Sequence, residues 1–160
     1  MSGSVSFARG IIVVAFLGSS LAFGAKPSLS KVFPEGDQMV FTKLSKSYQK
    51  EDLNDVIQQT EILRKKYPRS LYTDQAVYLR GYLSLKKGRF AEALKDFSEL
   101  ESKRPLSVKR REALFAKAMT YKKLNLPKQA DSVLSRLQKN YPGSPESRRA
   151  TLERRLLRVK

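Results

Sequence analysis

Residues 81–105, GYLSLKKGRFAEALKDFSELESKRP, read as two helices joined by a tight turn at Lys87-Gly88-Arg89. Glycine at the end of a helix tolerates the positive φ that closes it. Within the second helix Phe90, Ala93, Phe97 and Leu100 fall at i, i+3, i+7 and i+10, a single apolar stripe at helical period. Working outward, the pattern recurs on both sides at an interval of 37 residues. Val56, Ala93 and Ala130 keep that spacing, as do Leu63, Leu100 and Leu137, and Pro68, Pro105 and Pro142. A fixed period of this size marks a stacked array of supersecondary units.

Each proline is followed two residues later by a serine: Ser70, Ser107 and Ser144. Proline cannot continue a helix and pushes the residue before it (Tyr67, Arg104, Tyr141) out of the helical region. Serine is a preferred N-cap. Pro-x-Ser therefore predicts a helix stop, one linker residue and a helix start, three times over. The equivalents of the middle stripe are Leu53, Val56, Thr60 and Leu63 in the first unit and Pro127, Ala130, Leu134 and Leu137 in the third. Pro127 suits the first turn of a helix.

These units resemble the tetratricopeptide repeat. The middle unit supplies Gly81, Gly88, Phe90, Ala93, Phe97 and Pro105 at the family's positions, and the third supplies Leu114, Ala118, Tyr121, Ala130 and Pro142. The first has Val56 and Pro68, with Leu44 and Ser47 where small and aromatic residues are typical. The period of 37 exceeds the family's usual ~34. That longer variant resembles the repeats of bacterial periplasmic proteins beside the outer membrane, such as the Tol-associated coordinator and the outer-membrane assembly lipoproteins. The resemblance implies an all-α fold, a right-handed α-solenoid of three helix pairs, at residues 37–69, 70–106 and 107–143. A capping helix over 144–160 completes it, with Pro145 at its first position. Asp37 is the expected N-cap of the first helix.

The N-terminus reads differently. Arg9 is followed by thirteen apolar or small residues, Ile11 to Phe23, then by Gly24 and Ala25. This is the pattern of a secretory signal peptide over residues 1–25, and the run is short for a bilayer span. Residues 26–36 read as a linker. No cysteine is present, so the sequence offers no lipobox and no disulfide. The expected location is the periplasm or outside the cell.

The chain carries 32 Lys+Arg against 15 Asp+Glu, net +17, an excess that favours anionic partners. Nucleic acid is the least accessible of these to a secreted protein. Part of the charge follows the repeat. Lys43, Arg80 and Lys117 are 37 residues apart, and beside them Phe41, Tyr78 and Phe115 keep the same spacing, with Tyr82 one turn beyond Tyr78. Aromatics at helical spacing usually pack between helices, and basic residues usually form a solvated face. In the resembled family, however, the first helix of each unit lines a groove that receives a peptide. The resemblance thus assigns both rows to a groove for a protein segment with acidic residues. Arg148, Arg149, Arg154, Arg155 and Arg158 form a second basic cluster on the last helix. It suits lipid head groups or an acidic wall polymer, or simply keeps the cap soluble.

Catalysis finds no support in the residues. There is no histidine for general acid–base chemistry and no cysteine nucleophile. Metal-ligand clusters are absent from the sequence pattern, so no cofactor is expected. The turn KKGRF lacks the spacing of a phosphate-binding loop. Two functions fit: an envelope adaptor that binds a protein segment, or a basic surface that binds anionic polymer or membrane.

Overall fold

The computed structural model describes residues 35–158, which form seven helices: α1 Glu35–Gln49, α2 Leu53–Lys66, α3 Leu71–Lys86, α4 Phe90–Ser102, α5 Arg110–Lys123, α6 Pro127–Asn140 and α7 Pro145–Arg158. No strand occurs among the described residues. Each helix packs on the next in sequence, and α1 with α3, α3 with α5 and α5 with α7 also touch. This is an all-α repeat solenoid of three hairpins and a terminal helix. The expected signal peptide and nearly all of the expected linker lie outside the described residues.

The apolar stripes are buried as their period requires. Val56, Thr60 and Leu63, Ala93, Phe97 and Leu100, and Ala130, Leu134 and Leu137 are all fully enclosed. Pro127, at the head of its stripe, is exposed, whereas its equivalent Leu53 at the head of α2 is buried. The core is built in three successive clusters: around Leu44, Leu63 and Leu83, around Val77, Phe97 and Leu100, and around Leu114, Leu134 and Ala150. A stack in which each unit touches only its neighbours buries its core in this stepwise way.

The turn that opens each second helix shares one conformation. Glu51, Gly88 and Asn125, 37 residues apart, have φ of 55°, 75° and 57°. Only one of the three is glycine. Asn tolerates the left-handed region, whereas Glu does so at a steric cost. Glu51 is held there by ion pairs to Lys86 and Lys87 on the next turn of the stack.

Two helix starts differ from expectation. Asp37 lies inside α1, which begins at Glu35, so the expected linker ends earlier. Its buried carboxylate instead joins two units. It accepts from the Gln38 N–H at 2.7 Å and from the Ser70 hydroxyl at 2.6 Å. Ser70 accepts the Tyr72 N–H at 3.1 Å and caps α3. Ser144 likewise accepts the Ser147 N–H at 3.0 Å at the head of α7. Ser107 does not cap α5. Its oxygen takes the Lys109 N–H at 3.2 Å within a turn, and the helix starts at Arg110.

The register changes at α7. On α5, Leu114 and Ala118 belong to the buried cluster that includes Val133, Leu134 and Leu137 of α6. Their counterparts 37 residues on are Thr151 and Arg155, both exposed. That face of α7 is polar at these two positions. Ala150, by contrast, is fully buried and packs in the α5–α6 cluster.

Candidate functional site

The helices divide into two layers. The first helices of the units, α1, α3, α5 and α7, contact one another in series. The second helices α2, α4 and α6 make no comparable contacts with each other among the described residues. Layers of unequal spacing must curve, with the closely spaced layer inside. The inner face therefore belongs to α1, α3, α5 and α7.

A cleft of about 280 Å³ opens on this face and is lined by inner-layer residues only. Helix α3 contributes Tyr78, Tyr82 and Leu85, α5 contributes Glu112, Phe115 and Met119, and α7 contributes Glu146 and Arg149. Three of the four aromatics singled out in the sequence thus meet at one place. Tyr78 and Tyr82, one turn apart, stack with centroids 6.1 Å apart, and Tyr78 also lies 6.1 Å from the buried Phe97 ring. Tyr82 is the most open of them, 39% exposed. Burial pushes the Tyr78 phenol up to about 12, and the nearby Glu112 charge acts in the same direction. Phe41 is separate. It stacks on Tyr72 of α3 at 4.9 Å and belongs to the packing between the first and second units.

Charge in the cleft is mixed. Lys109 donates to Glu112 Oε1 at 2.8 Å and stands 5.5 Å above the Tyr78 ring. The Arg149 guanidinium lies 4.3 Å from the centroid of Phe115. The second carboxylate oxygens of Glu112 and Glu146 are withdrawn from solvent and accept no hydrogen bond from the described residues. Such atoms are rare, and each draws a water or a ligand donor to itself.

The expected basic row does not line this face as a continuous rung of free charges. Lys43 is exposed and stands 3.8 Å from Asp55. Arg80 is only 8% exposed and is bound on two sides. Its Nε donates to Asp96 Oδ2 at 2.8 Å and its Nη1 to Glu61 Oε1 at 2.6 Å. Burial lowers the guanidinium's pKa, but Asp96 and then Glu61 more than offset it, so the net shift is upward. Lys117 is buried too and donates to Glu101 at 2.7 Å, which also pairs with Arg136 at 2.9 Å. Arg80 and Lys117 therefore join helices within the stack and do not offer their charge to a groove. The same period produced both rows. It could not tell an inward rung from a helix–helix tie.

The arginines of α7 divide in the same way. Arg154 clasps Asp131 of α6, Nε to Oδ1 at 2.7 Å and Nη2 to Oδ2 at 3.2 Å, and reaches Gln138 at 2.7 Å. Arg149 belongs to the cleft. Arg148 and Arg155 are exposed, with Arg148 donating to the Gly143 carbonyl at 2.7 Å. The Arg158 side chain lies outside the described residues.

Glu112, Glu146, Met119 and Leu85 escaped the sequence reading as site residues. A signal existed for some. Met119 is 37 residues beyond Tyr82, and Arg149 is 37 beyond Glu112, so the period places them on the aromatic face. Among the described residues no group of three or more His, Cys, Asp or Glu could hold a metal ion, and no helix is long and apolar enough to cross a membrane.

Residues 112–144, which span α5, α6 and the cap of α7, match the family model of the tetratricopeptide repeat. No curated protein matches the chain.

Proposed function

We propose that this chain, a tetratricopeptide-type repeat protein and hence a protein-interaction module, works as an adaptor in the periplasm and holds a segment of a cell-envelope protein on its inner face. The observation that carries the reading is the convergence of Tyr78, Tyr82 and Phe115 in one inner-face cleft. Rings with one polar end bury large contact area at small entropic cost, which is why they anchor interfaces. Beyond the cleft, Leu152 and Leu156 continue the rows of Phe115 and Met119 at the 37-residue interval, and both are exposed. The apolar track therefore runs on along α7, long enough for an extended or helical segment. Of the basic row only Lys43 remains open to an acidic side chain of that segment. The module needs no catalytic step.

Affinity capture from envelope extract tests this, with the chain from Lys26 onward as bait and the Tyr82→Ala variant as control. The expected result is one or two proteins retained beyond physiological salt by the parent chain and released by the variant, whose helix content is unchanged. Equal retention by both would remove the groove from the account. Recovery of the protein from the cytoplasm, with residues 1–25 still attached, would remove the periplasmic assignment.

A second reading, a binder of anionic polymer or lipid surface, is favoured by the net charge of +17 and by the exposure of Arg148 and Arg155. Replacing these two arginines by serine separates the readings, because neither lies in the cleft. Loss of binding, with steep salt dependence throughout, would favour the surface reading.

A further inference from the structure

We infer that the cleft between α3, α5 and α7 recognises a basic side chain, Lys or Arg, as the anchor of the bound segment. The inference rests on the groove reading above and reverses the charge expected of the partner at this point.

Three features lead there. The walls are rings, whose faces attract cations. The molecule already uses them so: Arg149 lies 4.3 Å from the Phe115 centroid and Lys109 stands 5.5 Å over Tyr78. The cleft also contains two carboxylates, each with one buried oxygen that accepts no hydrogen bond from the described residues, Glu112 Oε2 and Glu146 Oε2. Lys109 engages only the other oxygen of Glu112, at 2.8 Å. None of the described ion pairs includes Arg149, which is exposed and held against a ring, so it can swing aside. A guanidinium or ammonium entering beside Tyr82 gains a ring face and a charge-assisted bond to a carboxylate. An acidic side chain entering the same space meets two carboxylates, and of the lining residues only Arg149 carries a positive charge. The volume of about 280 Å³ lies just below the ~300–1,000 Å³ of small-molecule pockets and suits one long side chain.

Selection from a displayed random-peptide library against the full chain tests this in ~0.3 M salt, where the screening length is shorter than ~8 Å and the overall positive charge recruits few acidic peptides. Binding of the enriched peptides is then measured for the parent chain, for Tyr82→Ala, and for the double variant Glu112→Gln, Glu146→Gln. The expected peptides share one Lys or Arg. Replacing it by norleucine, or using the double variant, weakens binding about tenfold or more. Peptides that depend on Tyr82 yet share no basic residue, or that bind the double variant as well as the parent, overturn the inference and leave the groove reading intact. Absence of any Tyr82-dependent peptide overturns both. Glutamine matches glutamate in shape. Should the double variant melt lower than the parent, the single Glu146→Gln variant gives the same readout and decides in its place.

Discussion

Arg80 on α3 and Asp96 on α4 form a two-pronged ion pair inside the middle unit, and both side chains are buried. Glu61 on α2 takes the remaining prong of the guanidinium and extends the contact into the first unit. Arg64 bonds both Glu61 and Glu99, and Arg104 reaches Glu99 and Asp74, so the first two units share one connected set of charges. Part of the positive charge of the sequence is thus internal to the fold.

Arg80→Ala leaves Asp96 buried and without its counter-charge. Breaking a buried pair on one side costs about 3–5 kcal/mol, so this variant should lose much of its helical signal on mild heating. A double variant, Arg80→Met with Asp96→Leu, should recover most of that loss. Chemical denaturation followed by circular dichroism measures both. A fully stable Arg80→Ala protein would show that the guanidinium contributes nothing to the stack.

Gly81 marks the closest approach of α3 and α4. A Cβ there would stand 2.9 Å from Phe97 Cε1 and 3.0 Å from Asp96 Cβ. Alanine in place of glycine gains about 1 kcal/mol of helix propensity. Overpacking against the fully buried Phe97 costs about 1–3 kcal/mol, so Gly81→Ala should be net destabilising. A raised melting temperature would mean that the two helices separate freely at this point.

The three left-handed turn residues form an internal comparison. Gly88 has open space around its Cβ position, so Gly88→Ala changes only the backbone preference and should cost about 1 kcal/mol. Glu51→Gly should do the reverse. Its melting temperature should exceed the parent's in ~1 M salt, where pairing with Lys86 and Lys87 is screened. A lower value at high salt would show that the Glu51 backbone carries no strain.

Stability should fall at both ends of the pH scale, for different reasons. Tyr78 has a folded pKa raised to about 12, so its contribution is complete below the ordinary 10.0 and disappears as pH climbs toward 12. Among the seven tyrosines burial raises both Tyr78 and Tyr48, so absorbance titration should show a late-ionising fraction that shrinks in Tyr78→Phe. For Glu61, burial acts upward but the bonds from Arg80 and Arg64 prevail, and its pKa is lowered from 4.5. Its contribution is therefore present above 4.5 and is lost as pH falls below it. A Glu61→Gln variant whose melting temperature falls as much as the parent's on acidification would remove this residue as a source of acid sensitivity.

The sequence by itself determined the repeat. Proline, serine and apolar residues at a 37-residue period mark where helices stop and turn their buried faces, and where α3 and α7 start, because those preferences act within a few bonds or one helical turn. It placed α6 and α7 correctly and put Tyr78, Tyr82 and Phe115 on the inner helices. The tertiary structure alone decided what the charges do. Lys43, Arg80 and Lys117 are equivalent in register, yet one is exposed and two are buried in pairs. Their fate depends on whether an Asp or Glu on a neighbouring helix comes within bonding distance. The same holds for the cleft. Glu112 and Glu146 are 34 residues apart and off the repeat period, and only the packing of α7 against α5 brings them together. Contacts between side chains on different helices are set by how the units stack, and no period along the chain records them.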